Sequence, residues 1–246
     1  DGSIYYSIAK FKNYGKLAKI DMSKQRVGVR INADEYEKDS VADFALWKVW
    51  SEHDGDVYWN SPWGKGRPGW HIECSAMSMI YLGKTFDIHT GGIDNMFPHH
   101  EDEIAQSEAA TGQKFVNYWL HSEHLIVDGQ KMSKSLGNFY SLRDLLNKGY
   151  FQDEIRWALI SAHYRKKLNF SLDSLNSARE TLNAFKTLFK KLNLLIVEDK
   201  KNGVDVQELS NSLLVQFKEA LCDDLNISKA LAYSFNLMKE SNKLIL

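Results

Sequence analysis

Lys131-Met132-Ser133-Lys134-Ser135 decides how the rest of this 246-residue chain is read. The pentapeptide follows the turn residues Asp128-Gly129-Gln130 and precedes Leu136-Gly137-Asn138, so it reads as a loop. Two lysines and two serines on such a loop make a clamp for polyphosphate, because each ammonium is a point charge on a flexible stem. Charge developing on phosphate oxygens in a transition state is where these lysines would act. A generic Lys/Ser loop is only solvated surface, so the reading depends on the neighbouring segments.

Upstream, Gly66-Arg67-Pro68-Gly69-Trp70-His71-Ile72-Glu73-Cys74 carries one of two cysteines, the other being Cys222. Further on stands His99-His100-Glu101-Asp102-Glu103, preceded by Pro98. With Pro98 in the first turn and a helix following, His99 and Glu103 share one face. A histidine, a carboxylate and a distant thiolate form a workable Zn²⁺ ligand set, one short of a closed tetrahedron. The bland alternative makes Cys74 a small buried hydrophobe and the acidic run a solvated helix start. Spacing alone leaves both open. Thr90-Gly91-Gly92-Ile93-Asp94 follows the strand-like Phe86-Asp87-Ile88-His89. Glycines at the end of a parallel strand admit a ligand to the backbone, and Asp94 would accept from a ribose or an amino group. Such a stretch can equally be a plain turn.

The bulk composition fits a folded chain, with 43% hydrophobic and 26% charged residues. A net charge of −1 provides no global basic field, so nucleic-acid contact would use local patches. Two well-separated cysteines are no disulfide framework, and a reducing, cytoplasmic setting is expected. No membrane-length apolar run or signal-peptide pattern is visible. The chain opens on Asp1-Gly2 without Met, which suggests a piece of something larger.

Three textures divide the chain. Residues 1–48 mix strand-like runs, Ser3-Ile4-Tyr5-Tyr6 and Val27-Gly28-Val29-Arg30-Ile31, and end on the helix-like Phe44-Ala45-Leu46-Trp47-Lys48. Residues 49–140 hold most of the glycines, all three prolines and His53, His71, His89, His99, His100 and His121. There Ala76 to Tyr81 reads as a buried helix, Glu101 to Ala110 as a helix, and His124-Leu125-Ile126-Val127 as a strand, which suggests an α/β sheet. Beyond residue 141, where Ser141-Leu142-Arg143-Asp144 starts a helix, Leu182, Phe185, Leu188, Phe189 and Leu192 recur at helical spacing. Two to four packed helices joined by a polar linker, Glu198 to Asp205, are expected.

These motifs together carry a resemblance. Lys131 to Ser135 matches the KMSKS signature of class I aminoacyl-tRNA synthetases. Ser61-Pro62-Trp63-Gly64, the run from Gly66 to Met77, and Phe97-Pro98-His99-His100-Glu101 with Glu103-Ile104-Ala105-Gln106-Ser107 resemble the cysteinyl-tRNA synthetase family. The likeness continues through Arg156 to Ile160, His163-Tyr164-Arg165, and Asp223-Asp224-Leu225-Asn226 with Lys229-Ala230-Leu231.

The resemblance implies an α/β region followed by an all-α region. These would be the second half of a class I synthetase Rossmann-like nucleotide-binding fold and a DALR-type helical bundle. Residues 1–48 would end the connective-peptide insertion. Residues 49–140 would form the half-domain with the zinc site and KMSKS loop. Residues 141–173 would be a stem-contact helical region and 174–246 the bundle. It implies activation of cysteine with ATP, Mg²⁺ alongside, and transfer to tRNA(Cys). One Zn²⁺ on Cys74, His99 and Glu103 would bind the substrate thiolate. That metal preference would separate cysteine from serine, which differs by one atom. Trp70, His89 and Asp94 would bind substrate. Gly91, Gly92, Asp94 and Lys131, Met132, Ser133, Lys134 and Ser135 would bind ATP, with Lys131 and Lys134 catalytic. A monomer is expected.

The sequence departs from the family at one point: the HIGH signature is missing, and His53-Asp54-Gly55-Asp56 is no substitute. The chain is therefore expected to lack the HIGH-containing half-domain, to have a zinc site one ligand short, and to be inactive alone. Cys222 reads as structural. Arg165-Lys166-Lys167 and Lys190-Lys191 are candidate tRNA contacts or ordinary solvated surface. A cysteine:amino-sugar ligase on the same scaffold and a non-catalytic paralogue are the rivals. A zinc hydrolase fails because no His-Glu-x-x-His helix is present.

Overall fold

The computed structural model describes residues 2–20, 43–197 and 206–245. The strand-like run 27–31 and the linker 198–205 lie outside them. The chain divides into two compact units, Asp1–Ser122 and Glu123–Leu246. The division falls inside the stretch 49–140 that the sequence treats as one region.

In the first unit, β1 (Ile4–Tyr6), β2 (Phe44–Val49), β3 (Trp59–Ser61) and β4 (Gly64–Pro68) form an antiparallel sheet in the order β1-β2-β4-β3. The helix expected at residues 44–48 is therefore a strand. A five-residue apolar run fits either period, and here the backbone groups of β2 are taken by β1 and β4 on its two sides. Gly69 shows how closely the chain approaches β2. Its N–H donates to Leu46 O at 2.9 Å, and a Cβ would lie 1.9 Å from Ala45 O.

Helix α1 (Trp70–Leu82) starts at once from that glycine. Its inner face buries His71 and Ser75, but Met77, Ile80, Tyr81 and Leu82 are exposed, Tyr81 at 83%. Residues 76–81 are thus helical, as expected, but not buried: apart from Ser78 the stretch is apolar, and only one side of α1 packs, against α2 and β2. Strand β5 (Phe86–Gly92) and β6 (Val116–Ser122) pair in parallel, with α2 (Glu101–Thr111) between them in the chain. Gly112 ends α2 in the left-handed region at φ 68°. Phe86, Phe115 and Val116 form the core under this pair, and Ile8, Tyr14, Phe44 and Ala105 a second one.

In the second unit, β7 (Leu125–Val127) pairs with the short β8 (Gln130–Lys131) and, in parallel, with β9 (Leu168–Phe170). Helices α3 (Leu142–Asn147), α4 (Gln152–Ile160), α5 (Leu172–Val197), α6 (Val206–Cys222) and α7 (Ile227–Ile245) follow. That is five helices among the described residues where two to four were expected; short α3 and α4 have little periodicity to read. The start of α3 was legible: Ser141 Oγ accepts from Asp144 N at 3.2 Å, and Asp144 Oδ2 accepts from Ser141 N at 2.9 Å. Val127, Leu145, Ile155, Ala158, Phe170, Leu175 and Ala178 make the core of this unit. No helix among the described residues is long and apolar enough to cross a membrane.

Candidate functional site

The first unit gathers its chemistry where α1, the end of β5 and the start of α2 meet. Metal-binding atoms of Cys74, His99 and Glu103 all lie within 4.8 Å of one another. His99 and Glu103 share a face, with His99 Nε2 3.0 Å from Glu103 Oε1. The other oxygen, Oε2, meets His89 Nε2 at 2.9 Å. The Glu103 side chain is fully enclosed. Burial raises its pKa, but His89 and His99 outweigh this and hold it below the ordinary carboxylate range.

One atom tests whether these residues suit a cation. Glu103 Oε1 is buried and has no hydrogen bond of proper geometry, although His99 Nε2 is near. A buried carboxylate oxygen left like this is costly. A divalent ion between Cys74, His99 and Glu103 would satisfy it, and a thiol, an imidazole and a carboxylate are ordinary zinc donors. The residues fit zinc. Burial, then the charges of Glu103 and Glu73, push the Cys74 thiol up, so its thiolate needs a cation for company.

The acidic run 101–103 is not the solvated helix start of the bland reading. All three carboxylates are buried, and each has its own partners. Glu101 accepts from Gly15 N at 3.0 Å and Ala18 N at 2.7 Å. Asp102 accepts from the Tyr14 hydroxyl at 2.5 Å and lies 3.2 Å from His71 Nε2. Burial, then Asp102, push the Tyr14 hydroxyl far above its ordinary value, so it remains a donor.

Trp70 is no core residue. It is 60% exposed, and its ring lies over His99 at 4.4 Å between centroids, where it walls one side of the site. The rings of His89, His100 and Trp119 pack as a triangle, His89 4.8 Å from each of the others and those two 4.9 Å apart. His100 Nδ1 lies 2.7 Å from His121 Nε2. Burial lowers the His100 pKa to about 4, and the nearby histidines add to this against the opposing pull of Glu103. His89, His100 and Glu103 form a second group of close metal-binding atoms, sharing Glu103 with the first.

Gly91 and Gly92 end β5 at the carboxyl end of a parallel pair, and Asp94 follows, exposed, in a short 3-10 turn. Gly91 has a packing reason to be glycine: a Cβ there would lie 2.6 Å from His100 Cε1. Sequence reasoning missed Tyr14, His71, Asp102, His100 and His121 as members of this cluster. The crowding of histidines between residues 71 and 121 was the available signal.

The second unit holds the Lys131–Ser135 loop. Lys131 and Lys134 are exposed, while Met132 packs against the core and lines a cavity of about 270 Å³ with Leu125, Tyr140, Leu145 and Ile155. Asn138 holds the loop: its Oδ1 accepts from Ser133 N at 2.8 Å, and its Nδ2 donates to Lys131 O at 3.1 Å and Val127 O at 3.4 Å. Ser133 and Ser135 hydroxyls lie 2.9 Å apart. Of the candidate tRNA cations, Arg165 is bound to Asp224, while Lys190 and Lys191 stand exposed on α5.

A family model described as "tRNA synthetases class I (C) catalytic domain" matches residues 1–180, and a DALR domain model matches residues 216–246. A protein named cysteine–tRNA ligase from Brachyspira hyodysenteriae (strain ATCC 49526 / WA1) is 52% identical over 251 residues, covering 98% of this chain and 52% of that protein. One of the same name from Protochlamydia amoebophila (strain UWE25) is 54% identical over 245 residues, covering 98% and 51%. The chain thus spans about half the length of the curated relatives it matches. Among solved structures, a LeuRS of Agrobacterium radiobacter K84 in complex with tRNA and LeuAMS has a TM-score of 0.59 at 15% identity, covering 78% of this chain and 29% of that one. This last likeness concerns the fold.

Proposed function

Since the chain belongs to the class I (C) tRNA synthetase catalytic-domain family, with a DALR domain after it, we propose that it is part of a cysteine–tRNA ligase. The protein would activate cysteine with ATP and Mg²⁺ and pass it to tRNA(Cys). The observation that carries this reading is the triad of Cys74, His99 and Glu103 around an unsatisfied Glu103 Oε1. These three residues would hold one zinc ion. The ion would supply a thiophilic centre that takes the substrate's thiolate and leaves a serine hydroxyl unbound.

The remaining roles belong to the chain's own groups. Trp70 would close the amino-acid site from the solvent side and orient the small side chain. His89, hydrogen-bonded to Glu103, would keep that carboxylate aligned. Asp94 at the exposed end of β5 would hold the amino group or ribose, and the Gly91-Gly92 backbone the adenylate. Lys131 and Lys134 would bind ATP phosphates and the charge that develops on them, with Met132 anchoring the loop and Ser133 and Ser135 shaping it. Catalysis of this kind is positioning and charge stabilisation. Residues 1–48 would end the connective insertion, 49–140 supply the zinc and KMSKS half-domain, 141–173 meet the tRNA stem, and 174–246 form the bundle. A cytoplasmic monomer fits this role.

The test is cysteine-dependent ATP–pyrophosphate exchange by the gene product that carries this chain, with serine as control. Exchange with cysteine and not with serine is the expected result. A folded, zinc-loaded protein that exchanges with neither would overturn the proposal.

A further inference from the structure

We propose that the groove between the β3–β4 hairpin and one flank of α1 is a docking site for an arginine-bearing segment of a partner protein. This goes beyond the ligase reading and does not rest on it. The groove encloses about 670 Å³. Trp47, Trp59, Trp63, Pro68 and Met77 line it, with Glu73 beside them and aliphatic residues for the rest. Trp59, Trp63 and Met77 are each more than half exposed, and a contiguous apolar patch of this kind marks an interaction surface.

The sheet register sorts the neighbouring side chains onto two faces. Trp47 pairs with Pro68 and Trp59 with Gly66, so the tryptophans share one face. Lys48 pairs with Arg67 and Asn60 with Lys65, which puts three cations on the other. There Arg67 meets Asp54 at 2.9 Å, and the Lys65 ammonium lies 3.9 Å from the Trp50 ring centre and 3.6 Å from that of Tyr58. One face thus holds a cation of its own against two rings. The groove face has three indoles and a carboxylate, and no cation lines it among the described residues.

The rings are held in place by the chain itself. Trp47 lies against Gly66, where a Cβ would come 2.6 Å from Nε1. Trp63 sits in the loop between β3 and β4, where Ser61 Oγ accepts from Trp63 N at 3.2 Å and donates to Gly64 O at 2.8 Å. The Trp47 and Trp63 rings stand 6.4 Å apart at 51° to each other and form a corner. Indole faces attract cations, more strongly than other rings do. A guanidinium is planar, stacks on such a face and offers paired N–H groups to a carboxylate. Arginine therefore suits the rings and Glu73 together. The space left over takes apolar neighbours of that arginine against Pro68 and Met77. RNA bases also stack on tryptophan, but their phosphates call for cations, and this groove presents a carboxylate.

The test uses the gene product that carries this chain and a dye-labelled pentapeptide with an arginine between two leucines, read by fluorescence anisotropy. The same peptide with citrulline, which keeps the shape and loses the charge, is the control. The arginine peptide is expected to bind about tenfold tighter than the citrulline one. Trp63→Ala should weaken it roughly tenfold, and Glu73→Gln roughly 3- to 10-fold while leaving the citrulline peptide unchanged. Tyr118→Ala, which removes an exposed aromatic outside the groove, should change nothing. Trp63 is an exposed loop residue, so Trp63→Ala carries the test if Glu73→Gln disturbs the adjoining Cys74. Equal affinity for the two peptides overturns the proposal, as do native affinity in Trp63→Ala, a loss of binding in Tyr118→Ala, or no saturable binding of the arginine peptide. An oligoadenylate that displaces the peptide and binds more tightly than it assigns the groove to RNA and overturns the proposal too.

Discussion

Arg165 and Asp224 are locked together across 59 positions of sequence, with Arg165 Nε 2.5 Å from Oδ2 and Nη2 3.0 Å from Oδ1. Tyr164 donates its hydroxyl to the same carboxylate at 2.5 Å. The pair joins the loop after α4 to the turn between α6 and α7, where Asp224 and Leu225 take φ values of 54° and 53°. The His-Tyr-Arg and Asp-Asp-Leu-Asn stretches are therefore two halves of one contact within the second unit.

This contact gives an acid-sensitivity prediction. Hydrogen bonds from Arg165, then Tyr164, lower the Asp224 pKa from 3.8 to about 2. A depressed carboxylate pKa stabilises the fold above its unfolded value and loses that effect as pH falls through the folded one. The urea midpoint of the native chain should exceed that of Asp224→Asn at pH 5, and the gap should close between pH ~4 and ~2. A gap that is constant over this range would refute the assignment.

Gly69→Ala should cost about 2 kcal/mol or more. The added methyl meets the Ala45 carbonyl, a backbone atom with no rotamer to escape into, so β2 and the start of α1 must separate. Thermal melting reads the loss. A neutral Gly69→Ala would mean that this corner of the fold is looser than described.

Leu175 is fully buried in the core of the second unit. Its truncation to Ala should destabilise by about 3 kcal/mol, from lost transfer energy and the cavity left behind. Urea unfolding followed by tryptophan fluorescence measures it, with Trp157 against the same core as reporter.

Asn138→Ala removes three anchors of the Lys131–Ser135 loop at once. If Lys131 and Lys134 act on ATP phosphates, exchange by the gene product that carries this chain should fall roughly 10- to 100-fold through misplaced lysines, while the melting temperature changes little because the loop is mostly exposed. Unchanged exchange would show that the loop is held by other means.

Metal removal tests the ligand set. The chain should carry about one zinc, and Cys74→Ser or His99→Gln should bring the content measured after dialysis close to zero. Cys222→Ser should leave it unchanged, since Cys222 is an exposed free thiol at the end of α6. Zinc retained by Cys74→Ser would rule out the triad.

The sequence by itself determined the residue types of the site and most element identities. His99 and Glu103 at helical spacing, the glycines ending β5, the Ser141–Asp144 cap and the Lys131–Ser135 loop are local patterns, and local patterns follow from backbone periodicity and capping chemistry. Only the tertiary structure decided what depends on distant partners. Phe44–Val49 became a strand because β1 and β4 offered it hydrogen bonds on both sides. One side of α1 stayed exposed although its residues are apolar. Glu101, Asp102 and Glu103 went into the interior because Gly15, Ala18, Tyr14 and four histidines and a thiol, scattered along the first unit, came to meet them. A charge can be buried only where partners converge on it, and convergence across dozens of residues leaves no periodic trace in a single sequence.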